Sequence, residues 1–105
     1  MAEATGFREA LLEAVDCSLL VLGESVKQAI YHYIERKYRV KREEIPEKLE
    51  ILQKASEGLL GAGSKVIDKL IAKNLYSRLG LNFEPHDDWT LVEYVNNAKK
   101  ALEGK

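Results

Sequence analysis

The sequence predicts an all-α fold, a compact bundle of about five helices forming one domain over residues 1–105. Three observations carry that expectation. Leu, Glu, Lys and Ala dominate while only two prolines and no Asn-Gly or Asp-Gly pair are present, which favours helices over hairpins. Apolar residues recur at three- and four-residue steps. Glycines and helix-start motifs interrupt that periodicity at intervals suited to short inter-helix turns. A chain of 105 residues has material for one core and not two. Its 46% hydrophobic and 31% charged content is that of a globular chain and unlike a disordered one.

Phe7, Leu11, Ala14, Val15, Ser18, Leu19 and Leu22 define the buried stripe of a first helix over residues 7–22. Gly23 then interrupts. Ser25 and Gln28 match a capping box that would start a second helix, although Gly23 inside one continuous helix would cost only about 1 kcal/mol relative to Ala, so both arrangements stay open. The second helix extends to about Tyr38, with Val26, Ile30, Tyr33, Ile34 and Tyr38 inward and Lys27, Glu35 and Arg36 outward. Residues 39–46 form a connection, because Pro46 disfavours helical backbone at Ile45 and suits a first helical turn.

A third helix is expected from Pro46 to Leu60, burying Leu49, Leu52, Ala55 and Leu59, with Gly61 and Gly63 as its stop. A fourth runs from Ser64 to Leu79, with Ile67, Leu70, Ile71, Asn74, Leu75 and part of Arg78 inward, Val66 and Leu79 widening the stripe, and Gly80 as its stop. After a loop through residue 89, Thr90 and Glu93 form a second capping box, with Trp89 and Tyr94 in the positions of a hydrophobic staple. The fifth helix shows Leu91, Val95, Ala98 and Leu102 on one face and frays into Glu103, Gly104 and Lys105. The short connections suit an antiparallel bundle.

Net charge is −1, against a generally basic nucleic-acid protein. The average conceals a reversal: residues 1–25 carry one basic and five acidic groups, residues 26–42 six basic and one acidic. Arg36, Lys37, Arg39, Lys41 and Arg42 form a basic run at the end of the second helix, and Lys65, Lys69 and Lys73 a stripe at four-residue spacing on the fourth. On a shared face these could contact an anion or nucleic acid, which is the alternative to a protein partner. Tyr31, Tyr33 and Tyr38 widen the apolar arc of the second helix beyond what one neighbouring helix covers, so they are candidates for self-association and a homodimer.

Candidates for chemistry are sparse. Gly58 to Lys65 lacks the Gly-Lys-Ser/Thr ending of a phosphate loop and the third glycine of a dinucleotide fingerprint, and reads as a helix-to-helix turn. Glu84, His86, Asp87 and Asp88 lack a metal-binding spacing, and Asp87 and Asp88 are explained by their place ahead of a helix start, where negative charge is favourable. His32 has no base partner in sequence, and Cys17, with no histidine nearby in sequence and no basic helix start to lower its pKa, reads as a buried inert thiol. No catalytic residue, metal ligand or cofactor-binding residue is assigned, so the chain is read as a non-enzyme, with a small enzyme that has no recognisable motif as the second alternative. With one cysteine, no secretory leader pattern and no apolar span of membrane length, a cytoplasmic location is expected.

The strings SVKQAIYHYIERKY (Ser25 to Tyr38), KREEIPEKLE (Lys41 to Glu50), GAGSKVIDKLIAKNLYSRLGLNF (Gly61 to Phe83) and DWTLVEYVNNAKK (Asp88 to Lys100) resemble a small archaeal helical family, the Nitrosopumilus-type output domain. The resemblance implies a signal-output module, alone or fused to others, in archaeal cytoplasmic regulation. It implies no catalytic residues, so no site residue is carried over. The function expected from the sequence is therefore a regulatory protein-interaction module acting as a homo-oligomer.

Overall fold

The computed structural model describes residues 2–103, with side chains from Gly6 onward, and is all-helical. Five α-helices, α1 (Ala2–Leu20), α2 (Glu24–Tyr38), α3 (Leu49–Leu60), α4 (Ser64–Leu79) and α5 (Leu91–Glu103), are joined by two 3-10 turns, Arg42–Glu47 and Gly61–Gly63. No strand occurs among the described residues. The expected fraying at Gly104 and Lys105 lies outside them.

Helices α1 and α2 are separate. The last amides of α1 tighten into three-residue steps, Val21 to Ser18, Leu22 to Leu19 and Gly23 to Leu20, and Gly23 then adopts φ 110, a conformation closed to side-chain-bearing residues. That places the start of α2 at Glu24, one residue before the expected cap. Ser25 therefore caps nothing, and the Gln28 amide donates to the Glu24 carboxylate at 2.8 Å instead of reaching back to a cap. Glu24 complements the positive end of the helix dipole in its place.

The expected third helix is split. Pro46 belongs to the 3-10 turn, where the Lys41 N–H donates to Glu44 Oε1 at 2.9 Å and Ile45 is driven fully into the core. Lys48 then breaks the helical backbone and α3 begins at Leu49. The bounds of α4 and the start of α5 agree with the sequence reading, and Gly80 closes α4 in the left-handed conformation. At α5 the Glu93 N–H donates to Thr90 Oγ1 at 3.3 Å, the Thr90 N–H donates to Glu93 Oε1 at 2.7 Å, and the Trp89 and Tyr94 rings stand 5.1 Å apart. Box and staple both form. Thr90→Ala should lower stability by about 1 kcal/mol, seen as an earlier urea midpoint at unchanged m-value.

Helix directions follow from the cross-helix contacts. Asn74 donates to Ser18 at 2.8 Å and Arg78 to Glu13 at 2.8 Å, so α1 and α4 run antiparallel. Lys69 meets Asp87 while Tyr76 donates to the Tyr94 carbonyl at 2.7 Å, so α5 runs parallel to α4. This corrects the wholly antiparallel expectation. The segment after Gly80 climbs back along α4 before α5 starts, held there by aromatic packing: Phe83 lies 5.5 Å from both Tyr76 and Tyr94, and the Tyr94 hydroxyl accepts from the His86 N–H and donates to the His86 carbonyl. The core gathers Leu11, Val15 and Leu19 of α1, Ile30 and Ile34 of α2, Ile45, Leu52, and Ile67, Ile71 and Leu75 of α4, with Leu91, Tyr94 and Val95 of α5 closing it.

Candidate functional site

The basic residues singled out by the sequence have different fates. Arg42 grips the Asp16 carboxylate through two nitrogens, and the Tyr31 hydroxyl donates to the same carboxylate. Burial alone pushes Asp16 upward, but the hydrogen bonds from Arg42 and Tyr31 hold it below its ordinary pKa. Burial, then the bond to Asp16, raises the Tyr31 phenol, and the bond to Asp16 raises the Arg42 guanidinium. These three residues tie α1, α2 and the first 3-10 turn together. Lys37 lies 5.5 and 5.6 Å from the Tyr33 and Tyr38 ring centres and donates to the Tyr33 hydroxyl at 3.1 Å. Only Arg36, Arg39 and Lys41 of the run, together with His32 and Glu35, line an open depression of about 680 Å³ where α2 ends.

The α4 stripe lies elsewhere. Lys69 pairs with Asp87 at 2.5 Å, and both line a smaller hollow with Lys65 and Val66; Lys73 is exposed one turn further on. Lys65 and Lys69 sit in the first half of α4, at the end of the bundle opposite the foot of α2, and α2 packs on α1 and α3 without extensive contact with α4. The two basic groups therefore do not share a face, contrary to the expectation behind a joint nucleic-acid surface.

The tyrosines of α2 also differ from expectation. Tyr31 is bound to Asp16, Tyr33 places its hydroxyl 3.7 Å from where a Cβ on Gly58 of α3 would stand, and Tyr38 packs edge-on to Tyr33 at 6.4 Å. All three are half-buried against the chain's own core. Helices α1 and α3 cover the arc that the sequence assigns to a second copy. Cys17 is exposed, not buried, and receives Arg78 Nη2 at 3.1 Å, because α1 turns that face outward beside α4. His86 stacks on Trp89 at 4.0 Å. No group of three metal-ligating side chains converges among the described residues.

A surface missed by the sequence reading is the end of the bundle that carries the α1–α2 and α3–α4 turns. Since α1 and α4 are antiparallel, the last residues of α1 lie beside the first half of α4, and the last turn of α3 joins them through Gly61–Gly63. Of the six exposed large apolar residues among the described residues, five stand at this pole: Leu20 at 44%, Val21 at 70%, Leu22 at 37%, Leu59 at 45% and Val66 at 69%. Leu22, Leu59 and Val66 were expected inside. They continue buried stripes, but each lies at a helix end with no neighbouring helix over it. The sixth, Leu102, borders a groove of about 660 Å³ with Phe7, Leu11 and Pro46, bridged by Arg8 donating to Glu47 at 2.7 Å.

Inside α4, Asp68 is a buried carboxyl with no ion-pair partner among the described residues. Burial first, then the negative charge of Glu57, pushes its pKa up to about 6. Gln53 Oε1 and Ser56 Oγ of α3 are buried without hydrogen-bond partners among the described residues. No protein-family model, curated protein or solved structure matches the chain.

Proposed function

We propose that this chain is a non-catalytic protein-interaction module of a cytoplasmic regulatory system, and that it self-associates through its apolar pole. The observation that supports this reading is the concentration of exposed Leu20, Val21, Leu22, Leu59 and Val66 on one end of the bundle. The largest apolar patch on a soluble monomer spans about 300–600 Å² and is often functional, which is the weight this grouping carries. A standard interface buries about 800 Å² per partner, so the patch would form its dry centre and the flanking polar residues its rim. Those flanking residues include Glu24 and Glu57 beside Lys65, all exposed. Opposite charges on one rim can pair across a two-fold axis, which makes a second copy a fitting occupant.

This reading moves self-association from the tyrosines of α2 to the pole. The resemblance to archaeal output domains gives the same reading a setting, with the dimer as part of a signal-output step. Amide spectra of the labelled protein from tens of micromolar to millimolar concentration test it. Amides of residues 20–23 and 59–66 should shift with concentration while those of Tyr31, Tyr33 and Tyr38 stay fixed. Spectra unchanged throughout, or shifts centred on the tyrosines, would overturn it.

A further inference from the structure

We propose that the depression at the foot of α2 binds a small ligand bearing a diphosphate or similarly charged phosphate group, gripped by Arg36, Arg39 and Lys41. The argument begins with the cations left over. Of the five arginines, Arg8, Arg42 and Arg78 are each committed to a carboxylate, on Glu47, Asp16 and Glu13. Arg36 and Arg39 are in no ion pair among the described residues, and both line the same depression together with Lys41. Two planar guanidinium forks and one ammonium, offset by Glu35, leave a surplus of two positive charges, which suits a di- or trianion.

The backbone supplies an independent observation. Arg39 is the only residue other than glycine at positive φ among the described residues, with φ 60 and ψ 37, and its N–H closes α2 on the Glu35 carbonyl. Glycine is the residue that this left-handed position favours, as the other α-helix ending in a left-handed cap, α4, shows with Gly80. Attraction of cations to a helix end explains Arg36 and Lys37, but that benefit needs no side chain at the strained position itself. A guanidinium held there at a conformational cost points to use of the side chain.

The geometry also selects a compact ligand over a nucleic-acid strand. A strand needs a track of cations, yet here the run is interrupted. Lys37 is turned onto the tyrosine rings, Arg42 onto Asp16, Glu35 stands in the depression, and Lys65 and Lys69 are at the other end of the bundle. The depression shares no lining residue with the apolar pole, so ligand binding and self-association use different side chains.

Calorimetric titration at low ionic strength with inorganic pyrophosphate, orthophosphate and single-stranded oligonucleotides of increasing length tests the proposal. Pyrophosphate should bind more tightly than orthophosphate. Arg39→Gly should fold with a melting temperature equal to or above that of the parent and lose at least about tenfold in pyrophosphate affinity, with Arg36→Gln losing a comparable factor. No pyrophosphate binding at millimolar concentration, or undiminished affinity in folded Arg39→Gly, would overturn it. So would oligonucleotide affinity that exceeds that for pyrophosphate and rises with length, the signature of a phosphate track.

Discussion

Replacing Val21 and Val66 together by glutamate should weaken self-association by at least about a hundredfold and leave the fold of the single chain intact. Both side chains are more than two-thirds exposed, so neither contributes much to the core, and surface changes of this kind stay within about 0.5 kcal/mol. Val66 lies in the first turn of α4, where a carboxylate is favoured by the helix dipole. In a two-fold dimer built on the pole, each substitution occurs twice and brings four carboxylates into one apolar patch. Each tenfold loss corresponds to about 1.4 kcal/mol, and burying or crowding unpaired carboxylates costs several times that. Unchanged thermal unfolding in dilute solution, with loss of the associated species, is the expected pair of results. A variant that still associates like the parent would remove the pole from the interface.

The second large effect is on stability against pH. Asp68 titrates at about 6 in the folded chain, above its unfolded value of 3.8, because burial and Glu57 both disfavour its charge. The folded state therefore binds the Asp68 proton more tightly than the unfolded state does. Its contribution to stability is complete below about pH 4 and is lost as pH rises through about 6, on the order of 2 kcal/mol in all. Asp68→Asn keeps the shape and removes the charge, so it should stabilise the protein by about that amount near pH 7.5 and by little near pH 4. Denaturant unfolding at the two pH values measures the difference. Asp16 works in the opposite sense: its pKa is lowered, so its contribution is present at neutral pH and is lost as pH falls through the folded value. A variant that is less stable than the parent at neutral pH would show that the charged carboxyl has a partner the fold needs.

Much of the fold is legible in the residues, and the failures have physical causes. Thr90, Glu93, Trp89 and Tyr94 locate the start of α5 because all three contacts of that motif are local. Ser25 and Gln28 show the same pattern yet form no cap, since Gly23 at positive φ turns the chain before Ser25 can serve. Pro46 suits a helix start, but burial of Ile45 draws the preceding residues into a 3-10 turn that hydrophobic periodicity does not encode. The parallel path of α5 depends on Phe83, Tyr76 and Tyr94 meeting across the loop, a tertiary event without a local signal.

The surfaces were harder to read than the helices. Leu22, Leu59 and Val66 fit helical stripes, and periodicity gives no hint that their helices outrun their neighbours. Tyr31, Tyr33 and Tyr38 widen the apolar arc of α2, but what covers it is α1 and α3, through Asp16 and the space over Gly58. The basic run was visible from composition. Which of its members remain available was not, because Asp16, the partner of Arg42, is far away in sequence. The sequence assigns Asp68 no role, because the burial that raises its pKa is a tertiary event with no local signal.

Sedimentation equilibrium across micromolar to millimolar concentrations, on the parent chain and on the Val21→Glu, Val66→Glu variant, tests the central claim most directly. The parent mass should rise with concentration from 11.9 kDa toward twice that value, while the variant stays at the mass of one chain. A parent that sediments at 11.9 kDa throughout, or a variant that rises as the parent does, would contradict self-association through the apolar pole.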